Sequence, residues 1–205
     1  MSFYERHILP HIIGCACASR PIMWYRDKVV PLAEGKVLEL GAGGGLNFRF
    51  YDPRKVASVT GVDPSPELRA KAAKAERQSG LAVELADGEA ESLPFADRSF
   101  DSVVCTFTLC SVRSPRAALA EARRVLRRGG RLLFAEHGRA PDPKVQRWQG
   151  RLEPVWKRIA GGCHLTRTPI EGVRGAGFSE EWLKSAYAPN TPRPLGWVEW
   201  GAALA

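Results

Sequence analysis

The sequence predicts an α/β fold with a doubly wound, mostly parallel sheet. Three observations lead to this prediction: short apolar runs alternate with helical patterns, the first run stops at a glycine-rich turn, and acidic residues follow successive runs. Strands that alternate with helices imply parallel pairing, right-handed crossovers and helices on both faces of the sheet. A chain of 205 residues has the length of one domain with a substantial core.

The first predicted strand, residues 36–40, runs into the turn in "VLELGAGGG". Glycines there permit positive φ angles and let a ligand approach the backbone closely. The pattern G-x-G-x-G departs from the G-x-G-x-x-G of dinucleotide sites, and Glu39 would repel a pyrophosphate but attract a cation. The turn favours a cofactor with a positively charged amino-acid head; the alternative is a turn that serves helix packing only. We expect it to lead into a helix or a loop through Tyr51, with free N–H groups facing the ligand.

The second strand, "VASVTGVD", ends at Asp63. A helix follows that opens at Pro64 and Ser65, is rich in helix-forming residues and closes at Gly80. "LAVELAD" and "SFDSVVCTFTL" have the length and composition of a third and a fourth strand.

An amphipathic helix over "SPRAALAEARRVLRRGG" precedes the fifth strand, "RLLFAEH". Ser114 is its expected N-cap and Gly129 its end. The formal net charge is +8, but the basic residues are scattered through helical patterns such as this one, and no nucleic-acid-binding signature accompanies them. We therefore expect no nucleic-acid partner, and a single solvated helix face for Arg123, Arg124, Arg127 and Arg128.

The remaining segments divide the predicted single domain. Residues 1–34 are expected to form an N-terminal helical lid, residues 36–138 the ligand-binding core, and residues 139–177 a helical insertion interrupted near Pro154. Residues 178–205 contain two strands separated by a proline-rich loop. Such an insertion after strand five is suited to form the wall of a substrate pocket.

Trp148 and Trp156 lie in the amphipathic part of this insertion. Packing onto the sheet is the favoured interpretation of their spacing. The alternatives are a hydrophobic pocket wall, or a peripheral membrane contact with Arg151, Lys157 and Arg158 near the lipid head groups.

The five cysteines give no sign of a disulfide framework. Their odd number, and the absence of a signal peptide or of an apolar stretch long enough to span a bilayer, predict a cytoplasmic protein with reduced thiols. Cys15 and Cys17 form a C-x-C motif without a second pair, so we expect no metal site. Cys110 and Cys163 are interpreted as small buried apolar groups.

Three acids follow three predicted strands, where open α/β sheets bind ligands. Asp63 lies 20 residues after Gly43 and is placed to accept hydrogen bonds from ribose hydroxyls. Glu89 or Asp87 is placed to accept from an adenine amino group, and Glu39 to hold an ammonium directly or through water. Together these spacings indicate an adenosine joined to an amino acid.

The motifs "VLELGAGGG", "VTGVDPSP", "GEAESLPFADRSFDSVVC" and "RRVLRRGGRLLFAEHG" resemble those of class I S-adenosylmethionine-dependent methyltransferases, in the same order over residues 36–138. The resemblance implies a Rossmann-like sheet of seven strands and S-adenosylmethionine as cofactor, converted to S-adenosylhomocysteine. It implies that the glycine turn holds the methionine part, that Asp63 holds the ribose, and that Glu89 and the backbone of Ala90 hold the adenine. The full set of expected cofactor-binding residues is Glu39, Gly41, Ala42, Gly43, Asp63, Pro64, Gly88, Glu89, Ala90 and Thr106.

A narrower resemblance concerns the acceptor. "CTFTLCSVRSP", "FAEHG" and "WQGRLEPVWKRIAGGCHLTR" are similar to a subfamily of membrane-associated thiol S-methyltransferases that act on small alkyl thiols and hydrogen sulfide. This implies S-methylation of a small-molecule acceptor. The alternatives are N-methylation of a phospholipid amine or another small metabolite, and a cofactor- or RNA-binding module without catalysis. No feature of the sequence indicates an oligomeric state.

Two histidines are candidates for a catalytic base. His137 stands at the end of strand five and is the first candidate, and His164 in "GGCHLTR" is the second. Histidine titrates near neutral pH, so either residue is suited to accept the proton of a thiol. The alternative for each is a hydrogen-bonded structural residue.

Overall fold

The fold is a seven-stranded sheet, seen in a computed structural model that describes residues 17–205. Its strands are β1 (Gly35–Leu40), β2 (Val56–Val62), β3 (Val83–Ala86), β4 (Phe100–Thr106), β5 (Leu126–His137), β6 (Ser179–Tyr187) and β7 (Trp197–Leu204). They lie in the order β3-β2-β1-β4-β5-β7-β6, and β7 runs in the opposite direction to the other six strands. The predicted doubly wound, mostly parallel, Rossmann-like sheet is confirmed.

The helices are α1 (Arg20–Val29), α2 (Pro66–Ser79), α3 (Pro115–Val125), α4 (Pro143–Ile159), α5 (Pro169–Gly175) and α6 (Arg193–Gly196). Local signals set several of their bounds. Ser65 caps α2 by accepting a hydrogen bond from the Leu68 N–H at 3.2 Å, and Gly80 closes that helix in the left-handed conformation. Ser114 caps α3 in the same way, through the Ala117 N–H.

Two apolar layers enclose the sheet. On one face, α1 packs Tyr25 and Val29 against Trp200 of β7 and Leu133 of β5. On the other face, α3 packs on β5, and α5 packs on α3, β7 and β6. Because both faces are covered, the central strands are apolar along most of their length, and ligand-binding groups are confined to the strand ends.

The segment after the glycine turn takes the loop alternative, and one predicted helix ends early. No α-helix follows the glycine turn: the chain makes turns and a short 3₁₀ helix, Phe48–Phe50, since Phe48 packs into the core and Pro53 soon stops any helix. The helix expected to end at Gly129 ends at Val125, because Leu126 already pairs with Phe100 in the sheet. Arg127 and Arg128 therefore belong to β5, and the single basic helix face is wrong.

The insertion also departs from expectation. α4 runs without interruption through Pro154. Trp148 is 54% exposed and does not pack on the sheet, whereas Trp156 lines a cavity. Of the predicted N-terminal lid, residues 1–16, including Cys15, lie outside the described residues, and α1 is a core-packed layer helix. Among residues 17–205, no helix has the length and apolarity needed to cross a membrane.

Candidate active site

Two adjoining cavities open at the carboxyl ends of the parallel strands. The first, of about 400 Å³, lies over the ends of β1, β2 and β4. The second, of about 520 Å³, lies beyond the end of β5, between the start of α1 and the end of α4. They share the wall residues Cys17, Phe107, Ser111 and Gly161. Molecules bound in the two cavities would meet at this wall.

Nine of the ten predicted cofactor-binding residues line the first cavity: Gly41, Ala42, Gly43, Asp63, Pro64, Gly88, Glu89, Ala90 and Thr106. The backbone geometry of the turn requires glycine at Gly41. Gly41 has a φ of 64°, and a Cβ there would lie 2.3 Å from the Thr108 hydroxyl oxygen, so no larger residue fits. At Gly43, with a φ of 55°, a Cβ would meet only the Gly41 carbonyl oxygen, at 3.8 Å.

Asp63 is 6% exposed and joins the glycine turn to the start of α2. Its Oδ2 accepts from the Gly43 N–H at 2.9 Å, and its Oδ1 accepts from the Ser65 N–H at 2.9 Å. Burial raises the pKa of this carboxyl, and the two backbone hydrogen bonds oppose that rise. Its oxygens retain lone pairs for donors from the cavity.

The two acids after β3 take different positions. Glu89 lines the cavity, and its Oε1 accepts from Arg113 Nη2 at 2.8 Å. Asp87 does not line it: its side chain is 74% exposed and is paired with Arg69 at 2.6 Å. The geometry thus separates two acids that are only two positions apart in the sequence, and it favours Glu89 for ligand binding.

Glu39 does not line the cavity. Its side chain is 1% exposed, its Oε1 accepts from Asn47 Nδ2 at 3.0 Å, and its Oε2 accepts from the Tyr51 hydroxyl at 2.7 Å. Burial raises the pKa of Glu39 to about 7, against the lowering effects of these donors and of Arg26. A role for Glu39 toward an ammonium stays a prediction, one that requires the carboxylate to act from beneath the cavity wall.

Arg26, on α1, lies in the same buried cluster and lines the cavity. Its Nη1 donates to Asn47 Oδ1 at 2.8 Å and to the Thr106 hydroxyl, while its Nε is buried with no hydrogen-bond partner among residues 17–205. Arg26 and Asn47 were not predicted, because they reach the site from positions outside the glycine motif. Their burial in the site is visible only in the folded structure.

The second cavity is predominantly apolar but holds a polar cluster. His137 Nδ1 lies 3.6 Å from Cys163 Sγ, and these atoms and Cys110 Sγ are all within 4.8 Å of one another. The His137 ring also makes an edge contact with Phe107, with 5.0 Å between ring centroids. His137 thus borders the second cavity, as a base for an acceptor bound there would have to do.

The thiols in this cluster differ in acidity. The neighbouring Cys110 thiol, followed by the contact with His137, lowers the pKa of Cys163 despite burial. The proximity of Cys163, followed by burial, raises the pKa of Cys110 well above its ordinary value. Both cysteines are buried as expected, and Cys163 has a polar contact with His137 in addition.

Glu136 and Phe107 shape the loop that carries Cys110. The fully buried Glu136 carboxylate accepts from the Thr108 N–H at 2.8 Å and from the Cys110 N–H at 3.1 Å. Phe107 adopts a φ of 54°, which is unfavourable for a residue with a side chain. The loop is therefore held in a constrained path along the wall between the cavities.

His164, the second candidate base, lines neither cavity. Its Nδ1 lies 3.1 Å from Glu153 Oε1, and Glu153 Oε2 accepts from the N–H groups of Leu165 and Thr166. This geometry supports the structural alternative for His164: with Glu153 it ties the segment after Cys163 to α4.

Comparisons with known proteins agree with this architecture. A family model described as a methyltransferase domain matches residues 38–134. Thiol S-methyltransferase TMT1B of Rattus norvegicus is 44% identical over 80% of this chain and 68% of its own length. The protein of the same name from Homo sapiens is 43% identical over 82% of this chain and 69% of its own length. The chain thus spans about two thirds of these relatives. A solved Thermotoga maritima structure, described as a SAM-dependent methyltransferase and possible histamine N-methyltransferase, is 25% identical, with a TM-score of 0.63 over 98% of this chain and 93% of its own.

Proposed function

We propose that this chain, which belongs to the class I S-adenosylmethionine-dependent methyltransferases, methylates the sulfur of a small thiol or sulfide. The observation that carries the acceptor assignment is the second cavity, which is apolar, adjoins the first and holds His137 at its wall. The similarity to proteins named thiol S-methyltransferase, over about four fifths of the chain, supports the same acceptor.

The first cavity fits S-adenosylmethionine, which supplies an electrophilic methyl group on a sulfonium when bound. A Cβ at Gly43 would meet nothing closer than 3.8 Å, so this turn borders free space, and Arg26 Nε is a buried donor without a partner among the described residues. We assign the methionine part to the turn, with the Arg26 guanidinium offered to its carboxylate. Asp63 is assigned to the ribose hydroxyls, and Glu89 with the Ala90 backbone to the adenine.

The main contribution of the protein is to orient the acceptor. Holding two reactants in a productive geometry supplies up to roughly 7 to 11 kcal/mol of barrier lowering. The wall shared by the cavities is suited to this task, since it brings an acceptor in the second cavity next to the first. No covalent intermediate on the protein is needed.

A thiol acceptor must also lose its proton. With an ordinary pKa near about 8.5, only a few per cent of a thiol is ionised at neutral pH. His137 borders the cavity and is our proposed base.

The apolar lining argues against an amine acceptor. An alkylamine is protonated at neutral pH, and burying an ammonium without a partner costs far more free energy than burying a neutral thiol. Within the part of the chain that the structure describes, residues 17–205, no carboxylate lines the second cavity. A neutral, weakly hydrated sulfur compound therefore suits this cavity better than the amine of a phospholipid head group.

The test is methyl transfer from labelled S-adenosylmethionine to a short alkyl thiol and to hydrogen sulfide, with the matched alkylamine as a third acceptor. We expect methyl thioether or methanethiol to form and the amine to stay unmodified. Binding of the cofactor with no methylation of either sulfur compound would overturn the thiol assignment. Methylation of the amine alone would replace it with N-methylation.

A pair of aspartate variants tests whether turnover depends on the first cavity. Asp63→Ala removes the predicted ribose acceptor and should abolish turnover, whereas Asp87→Ala alters an exposed residue paired with Arg69 and should leave most of it. Equal losses in both variants would mean that Asp63 has no special role.

A further inference from the structure

Three metal-ligating side chains meet at the second cavity. Cys110 lies in the loop after β4, His137 at the end of β5, and Cys163 in the loop after α4, yet their ligating atoms lie within 4.8 Å of one another. All three residues line the cavity. Cys110 and His137 are 27 positions apart, and His137 and Cys163 are 26 positions apart, so no local sequence motif indicates the cluster.

We propose that Cys110, His137 and Cys163 bind one Zn²⁺ ion whose fourth coordination position faces the acceptor cavity. Zinc–sulfur bonds of about 2.3 Å and zinc–nitrogen bonds of about 2.0 to 2.1 Å place tetrahedral ligand atoms roughly 3.5 to 3.8 Å apart. The distance of 3.6 Å between His137 Nδ1 and Cys163 Sγ agrees with this spacing. Two sulfurs, one imidazole and an open position form a donor set that zinc uses in catalytic sites.

The ligands are held before any ion arrives. Glu136 fixes the backbone N–H of Cys110, and the His164 N–H donates to the Cys110 carbonyl at 2.8 Å, which joins the two cysteine loops. Both cysteines are buried, at 2% and 6% exposure, so the thiols have little access to bulk water. A preformed site lowers the ordering cost of binding.

The surroundings also suit a sulfur ligand in the open position. Trp156 lines the same cavity; its buried Nε1 has no hydrogen-bond partner at ordinary distance among residues 17–205, yet it is close enough to Cys163 to help lower the pKa of that thiol. An indole N–H can donate to a metal-bound sulfur. The cavity thus combines an apolar lining for an alkyl chain with an indole N–H near the cysteines.

The consequence for catalysis rests on the proposed function. A thiol that coordinates Zn²⁺ gives up its proton to solvent and stays bound as a thiolate. Its sulfur then forms a bond to the methyl carbon as the carbon–sulfonium bond of the donor breaks. The products are a methyl thioether, S-adenosylhomocysteine and the released proton. In this arrangement His137 is a zinc ligand, and the ion replaces it as the agent of deprotonation.

Metal binding is measured first, on the reduced, metal-free full chain without cofactor or acceptor. We expect one Zn²⁺ per chain in competition with a chromophoric chelator, and Co²⁺ should give the near-ultraviolet charge-transfer absorption of cysteine ligation. Cys110→Ala and Cys163→Ala should each weaken binding about 100-fold or more, and His137→Gln about 10- to 100-fold.

The control is a buried cysteine outside the cluster. Cys105→Ala should retain binding within about threefold, while circular dichroism checks that every variant is folded. No zinc bound by the native chain, or undiminished binding in the Cys110 and Cys163 variants, would overturn the site.

Turnover then separates the two proposals. Zinc binding without methylation of any thiol would leave the site standing and refute the proposed function. Equal thiol methylation by the metal-free and zinc-loaded enzymes would refute the catalytic role of zinc and return deprotonation to His137.

Discussion

Glu39 is a carboxyl group in a closed, hydrogen-bonded pocket beneath the glycine turn, with a pKa raised to about 7 from 4.5. The folded state therefore binds the Glu39 proton more tightly than the unfolded state does. Between these pH values the folded state holds more protons, so the free energy of unfolding falls as pH rises. The pKa difference corresponds to a loss of roughly 3 kcal/mol of unfolding free energy. The full loss is reached at pH values above the pKa of Glu39 in the folded state.

We predict that Glu39→Gln removes this penalty. The unfolding free energy of the native chain minus that of the variant should fall by up to about 3 kcal/mol between about pH 5 and 8, measured by urea denaturation. Glu84→Gln, at an exposed position, serves as the control and should show a constant difference. A flat difference for Glu39→Gln would mean that Glu39 titrates normally in the folded protein.

Arg26 gives a second prediction at this scale. If its guanidinium serves the cofactor carboxylate, Arg26→Met should weaken S-adenosylhomocysteine binding roughly 10- to 100-fold, the range of one or two charge-assisted hydrogen bonds. Isothermal titration calorimetry measures this directly. Arg20→Met changes an exposed arginine of the same helix and should bind normally; an unchanged affinity in Arg26→Met would remove that residue from the site.

Sequence reasoning at the residue scale succeeded where a motif is local. Asp63 and the glycine turn are fixed by short-range geometry, so spacing alone indicated a shared cavity. Arg26 and the cysteine cluster were missed because tertiary packing, not spacing, joins them. Glu39 shows what a motif cannot predict. The motif gives the position of Glu39 but not the Tyr51 and Asn47 donors that enclose its carboxylate.

Among the elements, α4 contains an unusual feature, an exposed proline in the interior of a helix. Pro154 lacks the N–H that would bond to the Gly150 carbonyl, and an interior proline costs about 3 kcal/mol relative to alanine. Because the helix is continuous, Pro154→Ala should raise the unfolding free energy by about 1 to 3 kcal/mol in urea denaturation.

The neighbouring position supplies the comparison. Val155→Ala, also exposed on α4, should change stability by no more than about 0.5 kcal/mol. A loss of stability in Pro154→Ala would show that the helix needs the bend that proline imposes, for instance to aim Glu153 at the loop beyond Cys163.

The bounds of the helices and strands were predictable where strong start and stop residues mark them. β1, β2 and α2 begin and end within a residue or two of expectation, because glycine, proline and capping residues mark them. The junction of α3 and β5 was not predictable: Leu126 suits either element, and its pairing with Phe100 decides the matter. The uninterrupted α4 likewise shows tertiary packing overriding a local helix breaker.

For the whole molecule, cofactor binding should be visible as stability. A ligand that binds only the folded state, at about 100 times its Kd, adds about 2.7 kcal/mol to the unfolding free energy. In a chain of this size that raises Tm by roughly 5 to 10 °C. Differential scanning fluorimetry with S-adenosylhomocysteine measures the shift; Asp63→Ala should show little or none, and a full shift in that variant would contradict the assigned ribose contact.

The fold of the whole chain was predictable from the sequence, because alternating strands and helices admit few topologies and the motifs selected one of them. The second cavity was not. It is assembled from α1, the ends of β4 and β5, α4 and the loop before β7, so its apolar character emerges only when distant segments meet.

The place of β7 in the sheet has a consequence for the order of events during synthesis. β7 follows β6 in the chain but lies between β5 and β6. Until it leaves the ribosome, β5 keeps one edge unpaired and β6 has no strand to join. The nascent chain can complete β1 to β5 early yet must hold an open sheet edge, a site for mispairing with another chain, until the final strand arrives.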